Sequence, residues 1–568
     1  MIDSQAQQAV VGISVYDGTL IAALHLGKLI KTLRPEVTLL VGGEAMDPAV
    51  ASAVCSKAFL DGAVVGFGED VLLSTLDARK AGVEARSLRL PGFFSLTHFP
   101  PDGQQYATQS IVNSFQPASA HRDDKTGNIH IFARRGCGWG RCTFCRAVFR
   151  RQHIDADLRA TCQLVAALLE SSPPTSRESK PIHVRFDNEN NDADWLYQFL
   201  VFLENEASRR NQCFTVFFWL TARQMAQKEN RRLFRPWSRI KLMCTVGIET
   251  FNPKTLHDMR KGVDVLTLLM CLKMVHDSGG ENRFNYFAFF PLENCDSVRE
   301  EVDILSKCLH LTVPSKSPVY VTMYSANTRD DIFHNQEQFQ VEVRAENDFW
   351  LSKAFAVDSP LGYTAASYSL KTSGRRDFSV VRAWFHVLRE FGNVLGPLRE
   401  VRFGGETPVK RVITTMRLAW GSLRVIASLM SLFLRCSFIN DFVYARRAFL
   451  YLRYLQFPNR ESEPRLWLSG DSTVTREEFP GGRSTNCSIE LTRLQLSVLR
   501  YTYAPRKRTD IIAKFQAEYG TKNVEAAVAY LVRSGLALEW RGRTIALPHD
   551  PEALRQIMYS EQSPEVTA

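Results

Sequence analysis

The sequence predicts an α/β protein with three parts: a short Rossmann-like domain, a partial barrel of six strand–helix units, and a C-terminal helical region that ends in a winged helix. Two observations predict the sheets. Short apolar runs are typical of strands buried on both faces, and segments with helical periodicity separate them. A different observation predicts the winged helix, which is the succession of three helices and two short strands near the C-terminus. The 568 residues suffice for several such domains.

The composition is that of a globular protein. Hydrophobic residues make up 45% of the chain and charged residues 23%, which excludes a disordered or low-complexity polypeptide. The longest apolar run, Val425 to Leu434, is much shorter than the ~20 residues of a membrane-spanning helix. The polar N-terminus does not resemble a secretory signal, so we expect a cytoplasmic protein with no membrane partner. The net charge of +10 favours acidic partners, and dilute surface basicity explains it equally well.

Residues 1–90 predict a truncated Rossmann-like domain. Strands are expected at 10–15, 37–43 and 61–70, with a helix over 19–33 and glycines at the strand ends. An open α/β nucleotide-binding domain usually has about five or more strands. We therefore expect that the front of this domain, including its central strand, is missing and that sheet edges are exposed. Either the natural chain starts further upstream, or the domain is a remnant.

Composition sets the other expected boundaries. A linker rich in proline, glycine and polar residues covers 91–128, and six strand-like segments that alternate with helical ones fill 129–330. A mainly helical, arginine-rich extension covers 331–457, and an irregular linker covers 458–489. Residues 490–550 carry the winged-helix pattern.

The winged-helix pattern invites a DNA-binding interpretation. However, the segment that would be the recognition helix, 524–535, has a single basic residue, Arg533, so we do not expect nucleic-acid binding. We expect this region to pack against the barrel or to guide a peptide. The arginine-rich helices of 375–457 are suited to steering an acidic leader peptide, and arginine stems that cover apolar surface are an equal alternative.

Three of the twelve cysteines crowd into one short loop, and this is the main chemical feature of the sequence. Cys137, Cys142 and Cys145 have the spacing C-x4-C-x2-C in a glycine-bearing segment directly after a predicted strand. Three thiolates in one loop suit a cubane iron–sulfur cluster and leave its fourth iron open to a substrate. The alternatives are a structural zinc site completed by His153 or His130, and plain buried thiols.

This loop resembles that of the radical S-adenosylmethionine (SAM) superfamily, although the usual first gap there is one residue shorter. Other segments resemble the cobalamin-type members that mature ribosomally synthesised peptides (RiPPs), often as C-methyltransferases. These segments are 12–46, GAVVGFGED at 62–70, FDNEN at 186–190, VGIETFNPKTLHDMRKG at 246–262, 310–327 and the C-terminal helices with their wing. The resemblance implies a [4Fe–4S] cluster, cleavage of SAM to a 5′-deoxyadenosyl radical, and methylation of a precursor peptide through cobalamin. It also implies a reductant such as flavodoxin or ferredoxin.

The resemblance assigns roles to individual residues as well. The three loop cysteines are expected to hold the cluster. The residues expected to bind SAM are Phe144, Asp187, Asn188, Glu249, Thr250, Arg260 and Lys261. Those expected to bind cobalamin are Ser14, Thr19, Leu20, Gly42, Gly43, Gly66 and Gly68. Tyr324 is expected to line the substrate space.

Ordinary structural roles are the alternatives for these residues: helix capping, turn formation, a solvated helix face or a packed aromatic ring. At the level of function, two alternatives remain. One is a radical reaction without cobalamin, such as epimerisation, cross-linking or rearrangement. The other is a metal-bearing regulator that binds DNA through the winged helix. The sequence indicates no general base.

Overall fold

The structure of the protein is a computed structural model, and it describes most of the chain. The described residues are 9–15, 19–43, 46, 48–55, 59–65, 68–90, 93–95, 119–123, 126–145, 153–171, 181–187, 190–283, 285–287, 289–312, 320–322, 330–344, 367–370, 442–451, 465–469, 472–478 and 485–559. They belong to two compact units. Unit 1 combines 1–117, 135–157 and 325–372, and unit 2 combines 118–134, 158–324 and 373–568.

Strands and helices alternate along much of the chain. The strands are β1 (Val10–Ser14), β2 (Thr38–Gly42), β3 (Gly62–Val64), β4 (Phe93–Phe94), β5 (Ser119–Arg122), β6 (Ile129–Phe132), β7 (Arg134–Gly136), β8 (His153–Asp155), β9 (Ile182–Phe186), β10 (Phe214–Leu220), β11 (Ile240–Val246), β12 (Glu281–Arg283), β13 (Asn285–Phe287), β14 (Tyr320–Thr322), β15 (Val341–Arg344), β16 (Ser367–Leu370), β17 (Arg465–Ser469), β18 (Thr473–Glu478), β19 (Thr485–Glu490), β20 (Arg506–Lys507), β21 (Ala537–Trp540) and β22 (Arg543–Ala546).

The helices are α1 (Leu20–Leu33), α2 (Pro48–Cys55), α3 (Glu69–Lys80), α4 (Leu158–Glu170), α5 (Ala193–Arg210), α6 (Ala222–Ala226), α7 (Pro253–Asp258), α8 (Val265–Asp277), α9 (Cys295–Lys307), α10 (Leu309–Thr312), α11 (Asp331–His334), α12 (Phe442–Tyr451), α13 (Arg493–Tyr501), α14 (Arg508–Tyr519), α15 (Thr521–Arg533) and α16 (Pro551–Tyr559). Two short 3₁₀ segments lie at Ala85–Ser87 and Lys228–Phe234. In the described part of the chain, no helix is long and apolar enough to cross a membrane.

Unit 1 is built on a sheet in the order β1-β2-β3-β4, in which β1, β2 and β3 are parallel and β4 is antiparallel. Successive side chains of a strand point to opposite faces. Accordingly, Leu39 and Val41 join a core formed with α1 and α2, whereas Leu40 joins a smaller core formed with Val71 of α3. Helices therefore cover both faces, as the sequence predicts for a Rossmann-like domain.

The expected exposed edge is present in the described sheet of unit 1. Strand β1 lies at the end of the sheet order, and Gly12 and Ser14 on it are exposed. The neighbouring helix α1 exposes large apolar side chains, among them Leu29 at 54% and Leu33 at 67% of their surface. A sheet with only three parallel strands leaves such surface uncovered.

Unit 2 contains a six-stranded sheet in the order β12-β11-β10-β9-β6-β5, in which every neighbouring pair except β5 and β6 is parallel. Strand β13 starts two residues after the end of β12 and pairs with β14 in parallel. Helices lie between β8 and β9, between β9 and β10, between β10 and β11, between β11 and β12, and between β13 and β14. All six strand segments predicted between 129 and 330 are therefore present, in a mixed α/β architecture.

Local sequence explains the longest of these helices. The Asp192 side chain accepts hydrogen bonds from the Asp194 and Trp195 backbone nitrogens, both at 3.0 Å, and so caps α5. The helix buries residues at helical spacing, which are Leu196, Phe199, Leu200, Leu203 and Ala207. It ends at Asn211, whose φ of 52° is left-handed. The cap, the apolar face and the terminating residue are all visible in the sequence.

The C-terminal region forms three helices, α13 to α15, and a small antiparallel sheet in the order β20-β22-β21. It packs against helix α8 of the same unit, as expected. Lys273 Nζ donates to the Ala546 carbonyl at 2.8 Å, and the Tyr503 hydroxyl donates to Asp277 at 2.7 Å. The β21–β22 hairpin also contacts the core, because Trp540 Nε1 donates to Glu300 at 2.9 Å and Arg543 pairs with Asp264.

One expectation about local structure is wrong. The segment 458–489 is not an irregular linker, because β17, β18 and β19 in it form an antiparallel sheet. Its glycine- and proline-rich stretches, which suggested irregular structure, lie next to or between these strands. Most of the extension 331–457 lies outside the described residues, and its described part contains the antiparallel pair β15–β16 as well as helices α11 and α12. Short strands with polar residues on both faces lack the alternation that would reveal them.

Candidate functional site

The three loop cysteines follow strand β7 in unit 1, and all three are half-buried and free of disulfides. Gly136 and Gly140 have φ values of 81° and 50°, a left-handed conformation that favours glycine. A β-carbon on Gly138 would lie 3.0 Å from His153 Nδ1, so the missing side chain makes room for that ring. The Thr143 carbonyl accepts a hydrogen bond from the Asp331 nitrogen at 2.9 Å, which anchors the loop between its cysteines. Phe144 beside it is half-buried.

Burial separates these cysteines from others in the chain. Burial raises the pKa of the Cys55 thiol to about 12 and holds the pKa values of Cys244 and Cys271 well above the usual range. Buried thiols of this kind are protonated and inert. The loop cysteines are instead half-buried, so their soft thiol sulfurs are accessible, and the glycines beside them carry no side chain that could cover these sulfurs. This donor set fits an iron–sulfur cluster.

The two histidines considered as zinc ligands have different surroundings. His153 lies against the cysteine loop, at Gly138. His130 belongs to unit 2, where its Nδ1 lies 2.7 Å from a carboxylate oxygen of Asp187. The imidazole nitrogen of His130 that faces Asp187 is therefore engaged by that carboxylate.

Glu249 and Lys261, two of the residues expected to bind SAM, form an ion pair with Lys261 Nζ 2.5 Å from Glu249 Oε2. The two side chains are only 14% and 12% exposed. Glu249 has a φ of 58°, which is uncommon for a residue with a side chain. The Thr250 nitrogen donates to the Ile248 carbonyl at 2.7 Å and so closes a γ-turn around Glu249. Strained backbone of this kind is typical of functional sites.

Three other residues expected to bind SAM, Thr250, Asp187 and Arg260, belong to the described part of unit 2. Thr250 is fully buried and its hydroxyl donates to Glu301 at 2.7 Å, so the expectation that its side chain contacts SAM is corrected. Asp187 uses one carboxylate oxygen for His130 and the other for Arg185 Nε, at 2.7 Å each, which favours a structural role. Arg260 is exposed and follows the end of α7. Asn188 lies outside the described residues.

Sequence reasoning missed the side chains on one face of the unit 2 sheet. Phe217 of β10 lies next to Arg185 and Met243 in the strand register. The guanidinium carbons of Arg185 and Arg283 lie 5.2 Å and 5.0 Å from its ring centroid, within the range of cation–π contacts. The alternation in FTVFFWL was the available indication, because Phe217 and Trp219 are half-buried between fully buried neighbours.

A second missed residue follows strand β9. Asn190 belongs to the FDNEN motif and is only 5% exposed, yet its Oδ1 has no hydrogen-bond partner among the described residues. Buried polar atoms without a partner are rare in folded proteins. This amide oxygen lies after the carboxyl end of a parallel strand, where α/β proteins bind their ligands.

The residues expected to bind cobalamin gather at the carboxyl ends of the unit 1 strands. Ser14 and Gly42 are neighbours in the β1–β2 register, and Thr19 and Gly68 precede helices α1 and α3. Gly43 has a φ of 116°, and a β-carbon there would lie 2.7 Å from the backbone nitrogen and oxygen of Val15. This position therefore requires glycine.

Two of the cobalamin-binding expectations need comment. The side chain of Leu20 is fully buried in the core formed with α1 and α2, so it serves the fold, and a contact of this position with cobalamin stays a prediction. Gly66, like Tyr324 of the expected substrate space, lies outside the described residues. A β-carbon on Gly12 of β1 would meet nothing within 4 Å among the described residues. Strand surface that is uncovered in this way leaves room for a flat ligand such as a corrin.

A group of ionisable residues lies where the C-terminal region meets α8. Potential ligand atoms of His276, Asp277 and His549 lie within 4.8 Å of one another. The two imidazole rings stack with centroids 3.6 Å apart and planes 21° apart, so their lone pairs run side by side instead of converging on one ion. Asp277 accepts hydrogen bonds from His549 and Tyr503 at 2.8 Å and 2.7 Å. The group therefore serves as a polar contact.

The residues of this contact are buried apart from His276, and the pKa values of several of them are shifted. Although burial opposes it, the neighbouring His549, His276 and Lys273 hold the pKa of Asp277 well below its usual range. Burial, reinforced by His549, lowers the pKa of His310 to about 3. The histidine is therefore neutral, and its Nε2 lies 3.0 Å from the Leu547 carbonyl.

No family model matches this sequence, and no curated protein matches it. Among solved structures, the chain is similar to the cobalamin-dependent S-adenosylmethionine radical enzyme OxsB with aqua-cobalamin and S-adenosylmethionine bound. The TM-score is 0.52 and the identity 14%, over 80% of this chain and 68% of that chain. For OxsB with aqua-cobalamin alone, the TM-score is 0.50 and the identity 13%, over 75% and 64%.

A weaker likeness, with a TM-score of 0.47 and 14% identity, is to the radical S-adenosylmethionine methyltransferase TsrM from Kitasatospora setae, over 59% of this chain and 69% of that chain. The chain thus spans about two thirds of OxsB, 64% and 68% in the two structures. At this identity the likeness concerns the fold alone. Over the part that it spans, the chain has a mixed α/β fold similar to that of OxsB.

Proposed function

We propose that the protein is a radical SAM enzyme that binds a [4Fe–4S] cluster, SAM and cobalamin and methylates a carbon of a ribosomally synthesised precursor peptide. The cysteine loop carries this proposal, because it offers three accessible thiols on a chain with the fold of OxsB. In this interpretation, the partial β/α barrel is formed by the six predicted strand segments of unit 2, which are β6, β9, β10, β11, β13 and β14. The C-terminal helices with the β21–β22 hairpin are a winged helix that is used for packing.

The three cysteines hold the cluster, and the left-handed glycines Gly136 and Gly140 give the loop the curvature to wrap it. A bound cluster supplies the electron for the reductive cleavage of SAM. The protein contributes geometry around it. Anchoring of Thr143 by the Asp331 nitrogen fixes the loop between Cys142 and Cys145, so the thiols are positioned before any ligand arrives.

Glu249 binds the amino or ribose hydroxyl groups of SAM through its carboxylate, which is an acceptor for such donors. Lys261 orients that carboxylate from one side at 2.5 Å. The half-buried surroundings strengthen hydrogen bonds to an ionised group. Asn190 offers a further acceptor, since its buried Oδ1 has no partner among the described residues.

Cobalamin binds at the carboxyl ends of β1, β2 and β3, where Ser14, Thr19 and the glycines lie. Parallel α/β sheets bind ligands at this edge. Gly43 supports the proposal because its backbone approaches Val15 closely and leaves the edge without a side chain.

The proposed substrate is a precursor peptide with an acidic leader, and the proposed electron donor is a cytoplasmic flavodoxin or ferredoxin. The net charge of +10 supports acidic partners of both kinds. Nucleic acid is not proposed as a partner. The hairpin that would form the wing is held to the core by Trp540 and Arg543, and helix α15 uses its apolar residues for packing.

The test is anaerobic reconstitution of the full chain with iron, sulfide and hydroxocobalamin, followed by incubation with reductant and methyl-labelled SAM. We expect about four irons and four sulfides per chain, bound corrinoid in equimolar amount, and label transferred to a precursor peptide encoded near the gene. A cluster without corrinoid would contradict the methyl transfer and favour epimerisation, cross-linking or rearrangement. A single zinc ion without sulfide would contradict the whole proposal and favour the metal-bearing regulator.

A further inference from the structure

A fully buried arginine lies close to the Glu249 turn. Arg447 of helix α12 has no exposed surface, and its Nη1 lies 3.0 Å from Glu293 Oε2 and 3.1 Å from Glu301 Oε2. Both carboxyl groups are also at most 1% exposed. Removing three ionisable groups from water is costly, so a cluster of this kind calls for a specific role.

The second oxygen of Glu301 connects this cluster to the turn. Glu301 Oε1 accepts hydrogen bonds from the Thr250 hydroxyl at 2.7 Å and from the Phe251 nitrogen at 2.8 Å. These two donors belong to the residues directly after Glu249. Glu301 thus joins Arg447 through one carboxylate oxygen and the Glu249 turn through the other.

The turn needs such support because its backbone is strained. Glu249 has a φ of 58°, and an uncompensated residue with a side chain would relax from this conformation. On one side the Phe287 nitrogen donates to the Glu249 carbonyl at 2.8 Å. On the other side, Glu301 fixes the next two residues. Two sets of hydrogen bonds therefore stabilise the strained conformation, one from Phe287 and one to Glu301. The second set depends on the buried charges.

The two carboxyl groups that face Arg447 are not equivalent. Burial and the neighbouring Glu301 raise the pKa of Glu293, with Arg447 opposing them. Glu293 contacts the Thr255 hydroxyl at 3.1 Å and makes no hydrogen bond to the turn residues Thr250 and Phe251. Both carboxyl groups thus face Arg447, and among the two only Glu301 also holds the turn.

We propose that Glu301 and Arg447 are positioning residues, which hold Glu249 in the conformation with which it binds SAM. The inference rests on the proposed function, in which Glu249 contacts SAM. It gives one arginine of the arginine-rich extension a defined role, to charge-balance the carboxylate beneath the turn. Residues separated by almost 200 positions, Glu249 and Arg447, then act as one unit.

The experiment measures SAM binding to the reconstituted holoprotein by equilibrium dialysis and by the SAM-dependent change in the EPR signal of the reduced cluster. The variants are Glu249→Gln, Glu301→Gln and the matched control Glu293→Gln. We expect Glu249→Gln and Glu301→Gln each to raise the Kd by about tenfold or more, the effect of losing a hydrogen bond to a charged group. Glu293→Gln should stay within about twofold of the wild type, because Glu293 makes no hydrogen bond to the turn residues Thr250 and Phe251 and glutamine has nearly the same shape.

Because Glu301→Gln removes one partner of a buried ion pair and so threatens folding, Thr250→Val provides a second test that keeps the Arg447–Glu301 pair. Its Kd should rise while its circular dichroism spectrum and its content of iron and sulfide stay those of the wild type, although the loss of two buried hydrogen bonds lowers its melting temperature. Unchanged SAM binding in Thr250→Val and Glu301→Gln, with weakened binding in Glu249→Gln, would overturn the positioning role alone. Unchanged binding in Glu249→Gln would overturn the proposed contact between Glu249 and SAM, and the positioning role with it.

Discussion

The buried ammonium of Lys273 makes a pH-dependent contribution to stability that its substitution should remove. Lys273 is fully buried on α8, where Nζ donates to the Ala546 carbonyl at 2.8 Å and lies 4.0 Å from the centroid of the Tyr503 ring. Burial lowers its pKa from 10.5 to about 8, although Asp277 and Asp550 oppose the shift. Between these two pH values the unfolded chain keeps a proton that the folded protein has released.

The sign and the size of the effect follow from this difference. Where the unfolded state binds more protons, the free energy of unfolding rises with pH. A difference between 10.5 and about 8 corresponds to about 3 kcal/mol over the whole interval. We therefore expect the stability of the wild type to increase, relative to that of Lys273→Met, by up to about 3 kcal/mol as the pH rises through this window.

The assay is urea unfolding followed by circular dichroism at several pH values across this window. Lys522→Met is the control, because Lys522 is exposed on α15 and its substitution should leave the pH dependence of the wild type unchanged. A constant difference between the wild type and Lys273→Met at every pH would refute the argument. It would mean that water reaches the ammonium at the contact between the C-terminal region and α8.

Three further predictions concern the local geometry. Gly43→Ala should lower the free energy of unfolding by about 2 kcal/mol or more, because its β-carbon would lie 2.7 Å from backbone atoms. The control Gly82→Ala has open space around the new β-carbon and should lower the free energy of unfolding by only about 1 kcal/mol. Urea titrations measure both values. In the native apoprotein at pH 8, iodoacetamide should modify the exposed Cys213 and leave the buried Cys55 unmodified, as read by peptide mass spectrometry; equal labelling would contradict the burial. Asp192→Ala should cost about 1 kcal/mol by losing the α5 cap, and Asp192→Asn should restore most of it; equal melting temperatures of all three proteins would contradict this role.

Much of the fold could be predicted from the sequence because the information is local. Strand β10 is a continuous apolar run, and helix α5 has a cap, an apolar face and a left-handed terminating residue within a short window. The cysteine loop is similarly local, since its ligands and glycines lie within ten residues. Patterns of this kind need no knowledge of the tertiary structure.

The parts that could not be predicted depend on contacts between distant segments. Nothing near Thr250 in the sequence indicates that its hydroxyl binds Glu301, and nothing near Arg447 indicates two carboxyl partners. Thr250 and Leu20 follow strands, as ligand-binding residues do, and only burial reveals their structural roles. The sheet of β17 to β19 was missed for the same reason, because its pairing, and not its composition, makes it regular.

The most direct test of the central claim is the formation of 5′-deoxyadenosine from SAM by the reconstituted protein under reducing, oxygen-free conditions. The variants are Cys142→Ala in the loop and Cys213→Ala, an exposed cysteine outside it. The account predicts that the wild type and Cys213→Ala release 5′-deoxyadenosine and that Cys142→Ala releases none. Undiminished release by Cys142→Ala would contradict the claim that these three thiols hold the cluster that cleaves SAM.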